Sequence, residues 1–224
     1  MSTAEQRLAQ AFPPLGVRVT AGPLELRSIS AEDVLALIDV VRDGVHADEV
    51  MPFSFPWTDV TDEDLPSHYL QWWWRTLATF STDAWELNLS AVWEGEVVGV
   101  QGVTTQDFPT LRFGETGSWL GRRYQGRGIG TAMRRAFCTL LFDELGFEFV
   151  TSAAFTDNPA SIRVSQKVGY KENGLDWKHP RDERGTLQRM LLLPEDLIRG
   201  EPITVSGAAA LRRFVGIEPS PSQP

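Results

Sequence analysis

The strongest constraint on the fold of this chain is a short segment in which three of five residues are glycine, namely Gly126, Gly128 and Gly130. It lies between a predicted strand, Arg112 to Leu120, and a predicted helix, Thr131 to Leu145, whose apolar residues recur at helical spacing. Glycine permits the positive φ angles that direct successive backbone N–H groups at one point, and the start of the helix adds unpaired N–H groups and a partial positive charge. The sequence therefore predicts an anion cradle suited to phosphate or pyrophosphate.

The charge of the chain is acidic overall but positive around this segment. The sequence has 21 lysines and arginines against 30 aspartates and glutamates, a net charge of −9. Between Thr116 and Phe142, however, there are five arginines and no carboxylate. Since the acidic remainder would repel a polyphosphate backbone, we expect a small phosphorylated ligand at the cradle and no nucleic-acid partner.

The composition is that of an ordinary globular protein of about one domain, with 224 residues of which 42% are hydrophobic. No apolar run reaches the roughly 18 residues of a membrane span, and Met1 to Gln10 lacks the apolar core of a signal peptide. We therefore expect a cytoplasmic protein without a membrane partner. The single cysteine, Cys138, and three scattered histidines predict neither a disulfide nor a metal site.

The order of predicted elements indicates a mixed α/β, or α+β, domain over residues 24–200. Residues 1–23 and 201–224 are predicted extensions, and the last residues, 218–224, are predicted to be disordered. Two helix starts have clear capping signals, Ser30 with Asp33 and Asn158 before Pro159. The predicted strands are 24–29, 85–93, 96–104, 112–120, 147–155, 170–177 and 186–193, and the predicted helices are 31–42, 61–80, 131–145 and 159–168.

Several phosphate ligands are compatible with the glycine segment. A Walker loop requires Gly-Lys-Ser/Thr, whereas Thr131 follows Gly130 directly. A dinucleotide loop requires G-x-G-x-x-G after an apolar strand, and here the spacing is G-x-G-x-G. Glu148 lies at about the distance expected of a ribose-binding carboxylate, so a nicotinamide-dependent enzyme stays open, as does a simple glycine-rich turn with solvated arginines.

Four motifs resemble those of the GNAT superfamily of N-acetyltransferases. Gln125-x-x-Gly128-x-Gly130 resembles its Q/R-x-x-G-x-G/A motif. The segments Glu115 to Leu120, Asn158-x-x-Ser161 and Lys167-x-Gly169-Tyr170 resemble the E-I-G-Y-W-L, N-x-x-S and K-x-G-F segments of its RimJ/RimL-type, ribosomal-protein-alanine branch. The resemblance spans about residues 24–193. It implies a mixed, twisted sheet flanked by helices, whose central strands splay apart and hold acyl-CoA with its pyrophosphate on the glycine loop.

The resemblance also implies roles for individual residues in acyl transfer from a thioester to an amine. Glu115 would act as general base, or alternatively would bind the cationic amine without accepting a proton. Ser161 would approach the sulfur and could protonate the leaving thiolate, and Asn158 would contact pantetheine besides capping its helix. The predicted coenzyme-binding residues are Ser118, Trp119, Leu120, Gly121, Arg122, Gln125, Gly126, Arg127, Gly128, Ile129, Gly130, Thr131, Asn158 and Ser161.

One departure affects the general acid. Many enzymes of the superfamily have a tyrosine four residues before the glycine of the K-x-G-F segment, and Ser165 stands there in this chain. Ser161 or solvent would then deliver the proton. No covalent intermediate is needed, so Cys138 is expected to be a packed thiol.

The acceptor is the least constrained part of the prediction. Phe53, Phe55, Trp57 and Trp177 are predicted to line its pocket, although aromatic residues also serve simply to pack. The acceptor would be a small-molecule amine or a protein N-terminal or lysine amine, and the acidic chain would attract a cationic one. Residues 51–57 and 157–161 resemble an actinobacterial subgroup in which succinyl-CoA is a credible donor beside acetyl-CoA.

A broader alternative to an enzyme follows from the same residues. The chain could be a non-catalytic acyl-CoA sensor, which would share the cradle but not the turnover. Separately, the run Trp72-Trp73-Trp74 cannot all face one side of a helix, so part of it is expected to face solvent, a pocket, or a homodimer or higher-oligomer contact.

Overall fold

A computed structural model describes residues 3–217, and the predicted disorder of residues 218–224 lies outside this range. The α-helices are α1 (Thr3–Ala11), α2 (Ala31–Arg42), α3 (Leu65–Ala78), α4 (Phe108–Leu111), α5 (Ile129–Thr139), α6 (Pro159–Val168) and α7 (Ala208–Phe214). The strands are β1 (Arg18–Ala21), β2 (Leu24–Ser28), β3 (Glu86–Trp93), β4 (Glu96–Thr104), β5 (Phe113–Leu120), β6 (Phe149–Phe155), β7 (Lys171–Lys178), β8 (Gly185–Leu192) and β9 (Thr204–Ser206).

The strands form a single mixed sheet in the order β7-β8-β6-β5-β4-β3-β2-β1-β9. All neighbours are antiparallel except β5 and β6, which run parallel. This arrangement confirms the predicted mixed α/β architecture. Two of the strands, β1 and β9, lie in the segments predicted as extensions, and they pair with each other at one edge of the sheet.

The central parallel pair separates after a short contact. β5 and β6 are paired only from Phe113↔Phe149 to Glu115↔Thr151, whereas β5 stays paired with β4 as far as Leu120. At the point of separation the Thr116 hydroxyl donates to the Thr151 carbonyl oxygen at 3.0 Å. The second half of β5 therefore has one unpaired edge, which confirms the predicted splay.

The predicted capping signals are all present in the structure. The Ser30 hydroxyl accepts from the Asp33 N–H while the Asp33 carboxylate accepts from the Ser30 N–H, a complete capping box. The Asn158 side chain accepts from the Ser161 N–H, and Gly169 ends α6 at a φ of 111°. These local signals fix where α2 and α6 begin.

Elsewhere the predicted boundaries shift or elements are added. The helix predicted over 61–80 begins only at Leu65, with Pro66 in its first turn. The helix after the glycine loop continues from α5 into a π-helical turn, Leu140–Glu144. Of the tryptophan run, Trp72 and Trp73 are half-buried and Trp74 is 56% exposed. Between residues 3 and 217 no helix is long and apolar enough to cross a bilayer.

The buried carboxylate of the α2 capping box gives a test of the fold. Asp33 is 2% exposed and pairs with Arg27 at 2.6 Å. We expect Asp33→Ala to lower the free energy of unfolding by about 2 kcal/mol, because it removes the half of the capping box that accepts from the Ser30 N–H and the buried partner of the partly exposed Arg27. Asp39→Ala is the control, since Asp39 lies on the same helix, is 78% exposed and should matter little. Urea titration measures both.

The same carboxylate predicts a pH dependence. Burial alone would raise the pKa of Asp33, but hydrogen bonds from Arg27 and Ser30 outweigh it and hold the pKa below its ordinary value. A carboxyl with a depressed pKa stabilises the fold above its unfolded pKa of about 3.9 and loses that contribution as pH falls below it. The difference between the wild-type chain and Asp33→Ala should therefore be full at neutral pH and shrink below about pH 4; a constant difference would contradict this account.

Candidate active site

The glycine segment has the backbone geometry that an anion site requires. Gly126 has a φ of 73° and Gly128, the N-cap of α5, a φ of 84°. A Cβ atom at either position would meet nothing within 4 Å, so it is the backbone angle that calls for glycine there. No acceptor from the described part of the chain bonds the N–H groups of residues 126–130. These donors lie at a helix N-terminus, where an anion is stabilised.

The base of this loop is held by hydrogen bonds that it donates to backbone carbonyls of other segments. The Gln125 amide donates to the Val45 carbonyl at 2.8 Å and to the Leu120 carbonyl at 2.9 Å. The Arg122 N–H donates to the Gly44 carbonyl at 2.9 Å. Gln125 and Arg122 thus fix the loop against the end of β5 and the segment after α2. Arg127 is exposed at the loop itself, where its charge can reach a ligand.

Three elements converge at the wide end of the splay. A Cβ atom added at Gly130, in the first turn of α5, would lie 3.5 Å from Leu120 on β5 and 3.9 Å from Val164 on α6. Asn158 caps the same α6, and the half-buried Ser161 lies in its first turn. The end of β5, the glycine loop and α6, on which the predicted coenzyme-binding residues lie, are therefore neighbours around the opening of the splay. The Trp119 side chain is the exception, because it turns to the opposite face of the sheet.

A buried polar cluster under this opening was not predicted from the sequence. The Arg134 guanidinium donates to the Ser118 hydroxyl at 2.8 Å and to the Ser165 hydroxyl at 2.7 Å, which links α5 to β5 and α6. The signal that could have revealed it is an arginine on the same helical face as the core residues Phe137 and Leu141.

On the opposite face of the sheet a cavity of about 570 Å³ lies beside β5. Strand alternation turns the side chains of Glu115 and Trp119, and the bare backbone of Gly117, toward it. Gly117 pairs across the strands with Gly102, and a Cβ atom at Gly117 would meet nothing within 4 Å. The floor therefore lets a substrate approach the β5 backbone closely.

The predicted acceptor residues are only partly assembled at this cavity. Phe55, which is 75% exposed, and Trp57 line it. Phe53 packs behind Trp57, with ring centroids 5.0 Å apart, and is not among the lining residues. Trp177 lies on β7 under Arg184, also outside the lining.

The wall that sequence reasoning missed is supplied by α3. His68, Tyr69, Trp72 and Arg75 face the cavity at the spacing of one helical face. That spacing is visible in the sequence, but nothing local shows which sheet face the helix covers. Burial raises the pKa of the Tyr69 hydroxyl well above its ordinary value.

The two cavity carboxylates are both paired with arginines. The Arg189 guanidinium lies 3.3 Å from the half-exposed Glu115 carboxylate and 3.6 Å from Asp176. Arg181 donates two hydrogen bonds to Asp59, at 2.7 and 2.6 Å, and these hold the pKa of Asp59 below its ordinary value. The cavity therefore combines charged carboxylates with nearby compensating cations, which leaves it less negative than the overall charge of the chain suggests.

The fold and site define the class of protein. Residues 24–171 match the sequence model of the acetyltransferase (GNAT) domain, which covers more than half of the chain. The chain therefore belongs to the GNAT acetyltransferase domain family, as the motif resemblance predicts.

Individual relatives are similar to this chain in part of the sequence or in the fold. The chain is 30% identical over 83 residues to the Bacillus subtilis (strain 168) protein named "Putative ribosomal N-acetyltransferase YdaF"; the match covers 37% of this chain and 45% of that relative. Mycobacterium smegmatis RimJ, solved in complex with CoA-disulfide, has the same fold with a TM-score of 0.69 at 20% identity, over 88% of this chain and 92% of that one. The ribosomal L7/L12 N-acetyltransferase RimL, solved with coenzyme A, has a TM-score of 0.61 at 18% identity, over 76% and 94% of the two chains.

Proposed function

We propose that this chain is an N-acyltransferase that moves an acetyl group from acetyl-CoA to a primary amine by direct attack within a ternary complex. The observation that carries the proposal is the position of β5. The end of β5 leads into the glycine loop, and the edge that β6 leaves unpaired borders the splay. The face of β5 to which Glu115 and Trp119 turn forms the floor of the 570 Å³ cavity. A thioester in the splay and an amine in the cavity would meet at this strand.

The residues present fit the coenzyme. The N–H groups of residues 126–130 would bind the pyrophosphate, with Arg127 adding charge. Beyond Glu115, β6 leaves the backbone N–H and C=O groups at one edge of β5 unpaired. The pantetheine amides would hydrogen-bond these groups in the place of a neighbouring strand. Asn158 and Ser161 would face the coenzyme from α6.

The reaction then requires a neutral amine and a polarised carbonyl. The amine would enter through the cavity, where the Glu115 carboxylate would take its proton directly or through water. Backbone N–H groups of β5 near Ser118 would polarise the thioester carbonyl. Carbon–nitrogen bond formation would expel the CoA thiolate, and Ser161 or solvent would return a proton to the sulfur.

The acceptor and the acyl group are the finer parts of this proposal. The names of the relatives point to a protein amine, and the cavity volume would admit the terminal residue of a peptide as well as a small amine. Acetyl is the donor group that the family name supports, and succinyl is the alternative that the motif resemblance suggests.

A ligand panel tests the proposal. Acetyl-CoA at about 100 times its Kd should raise Tm by about 5–10 °C, since only the folded state binds it. Thiol release should then appear with a peptide or small-molecule amine. Failure to bind any acyl-CoA, or binding of NAD that CoA does not displace, would refute the proposal. Coenzyme binding without turnover on any amine would favour the acyl-CoA sensor.

A further inference from the structure

Among the residues that the structure describes, the buried charge of Arg134 has no opposite charge beside it. Arg134 is 3% exposed, and its guanidinium bonds only neutral oxygens, the hydroxyls of Ser118 and Ser165. Among residues 3–217 no carboxylate pairs with it. A buried charge that lacks an opposite charge is costly, and arginine does not escape the cost by losing its proton.

The ionisable groups next to Arg134 do not compensate it either. The Tyr170 hydroxyl bonds Thr116 at 2.7 Å and the Cys138 sulfur at 3.5 Å, and the Arg134 Cζ atom lies 6.0 Å from the Tyr170 ring. Burial raises the pKa of the Cys138 thiol to about 11 and that of Tyr170 well above its ordinary value. Both groups are therefore neutral at neutral pH, and the site keeps a net positive charge.

The position of this charge coincides with the proposed point of transfer. Ser118 lies on β5 beyond its last pair with β6, so the guanidinium links β5 to α6 where β5 and β6 have separated. Ser118 also borders the acceptor cavity on the other face of the sheet. An amine that enters from the cavity would attack the acyl carbon from that face of the sheet. The thioester sulfur would therefore lie on the other face, where Arg134 bonds the Ser118 hydroxyl.

We propose that Arg134 supplies the positive charge that stabilises the CoA thiolate as it leaves, an inference that rests on the proposed acyl transfer. The amine nitrogen forms a bond to the carbonyl carbon, the carbon–sulfur bond breaks, and its electron pair moves to sulfur. The amine proton goes to the base, while Arg134 keeps all its protons and holds the sulfur as an anion. Solvent protonates the thiolate when CoA leaves.

The thiol of bound CoA gives a readout that does not depend on turnover. In the wild-type complex, the ultraviolet absorbance of the thiolate should titrate at least about one pH unit below that of free CoA, as expected beside an opposite charge. Arg134→Gln should abolish this shift, and Arg134→Lys, which keeps the charge, should retain most of it. Arg135→Gln is the matched control, because Arg135 is the next residue of α5 and also bonds α6, through the Lys167 carbonyl at 2.7 Å. It should leave the shift unchanged.

Transfer rates complete the test. Arg134→Gln should lower kcat about tenfold or more while leaving the KM of the amine unchanged, because one pKa unit of thiolate stabilisation is a factor of ten. An unshifted thiol in the wild-type complex, or a shift that persists in Arg134→Gln, would overturn the role of Arg134. If Arg134→Gln lost succinyl transfer selectively and the CoA thiol was unshifted, the role of Arg134 at the thiolate would also be overturned. Its charge would then serve to bind the carboxylate of the succinyl group.

Two outcomes separate this inference from the one on which it rests. If the wild-type chain binds no CoA, the proposed function itself fails; if it binds CoA normally with an unshifted thiol, only the role of Arg134 fails. Should Arg134→Gln bind CoA too weakly to titrate, Arg134→Lys decides, since a retained shift supports the charge and an ordinary titration overturns it.

Discussion

Gly128→Glu should abolish coenzyme binding in a chain that still folds. A Cβ atom at Gly128 has open space around it, so the fold has room for the side chain, at the cost of placing a non-glycine residue at a φ of 84°. That cost is about 1–2 kcal/mol. The new carboxylate, by contrast, would occupy and repel the anion that the loop donors bind. Loss of two or three charge-assisted hydrogen bonds weakens binding by at least about a hundredfold.

The chain offers a closely matched control for this substitution. Gly95, in the β3–β4 turn, has a φ of 88° and equally open space around its Cα atom. Gly95→Glu therefore introduces the same charge and the same backbone strain away from the loop. Calorimetric titration with CoA should give wild-type affinity for Gly95→Glu and no measurable binding for Gly128→Glu, while thermal unfolding shows similar losses of Tm. Equal CoA affinities in the two variants would show that the pyrophosphate binds elsewhere.

Much of the sheet could be predicted because its signals are local. Strand alternation, the Glu94-Gly95 turn and the caps at Ser30 and Asn158 each depend on residues within a few positions of one another. The signal for the glycine loop is also local, since two positive φ angles and a helix start suffice to direct its N–H groups at one point. The splay of β5 from β6 depends on contacts between distant segments, and only the motif resemblance predicts it.

What could not be predicted depends on contacts between distant segments. The β1–β9 pairing joins residues near opposite ends of the described chain, and no pattern within either strand specifies the partner. The α3 wall follows helical spacing, but its place over the cavity is set by tertiary packing. Arg134 is the clearest case. Its place in a basic window favours a solvated arginine, whereas its place on the core face of α5 favours burial. The partners that accept from it, Ser118 and Ser165, come from two other elements that no local pattern specifies.

Glu115→Gln should leave coenzyme binding intact and lower the rate of acyl transfer by about 10²–10³, the effect of losing a general base. The side chain is half-exposed and the glutamine is nearly isosteric, so the fold should be unaffected. Asp176→Asn is the matched control, because Asp176 is the other carboxylate that pairs with Arg189 but does not line the cavity. Initial rates at saturating acetyl-CoA, with the amine varied, measure both variants.

The form of the loss decides between the two roles of this carboxylate. If Glu115 removes the proton of the amine, Glu115→Gln lowers kcat even at saturating amine, and the residual rate rises with pH as more free amine is present in solution. If Glu115 only attracts the cationic amine, the variant raises the KM and leaves kcat unchanged, because ground-state and transition-state binding weaken together. A variant with wild-type kcat and KM would remove Glu115 from the mechanism and leave the deprotonation of the amine to solvent, since the other cavity carboxylate, Asp59, is held by two hydrogen bonds from Arg181.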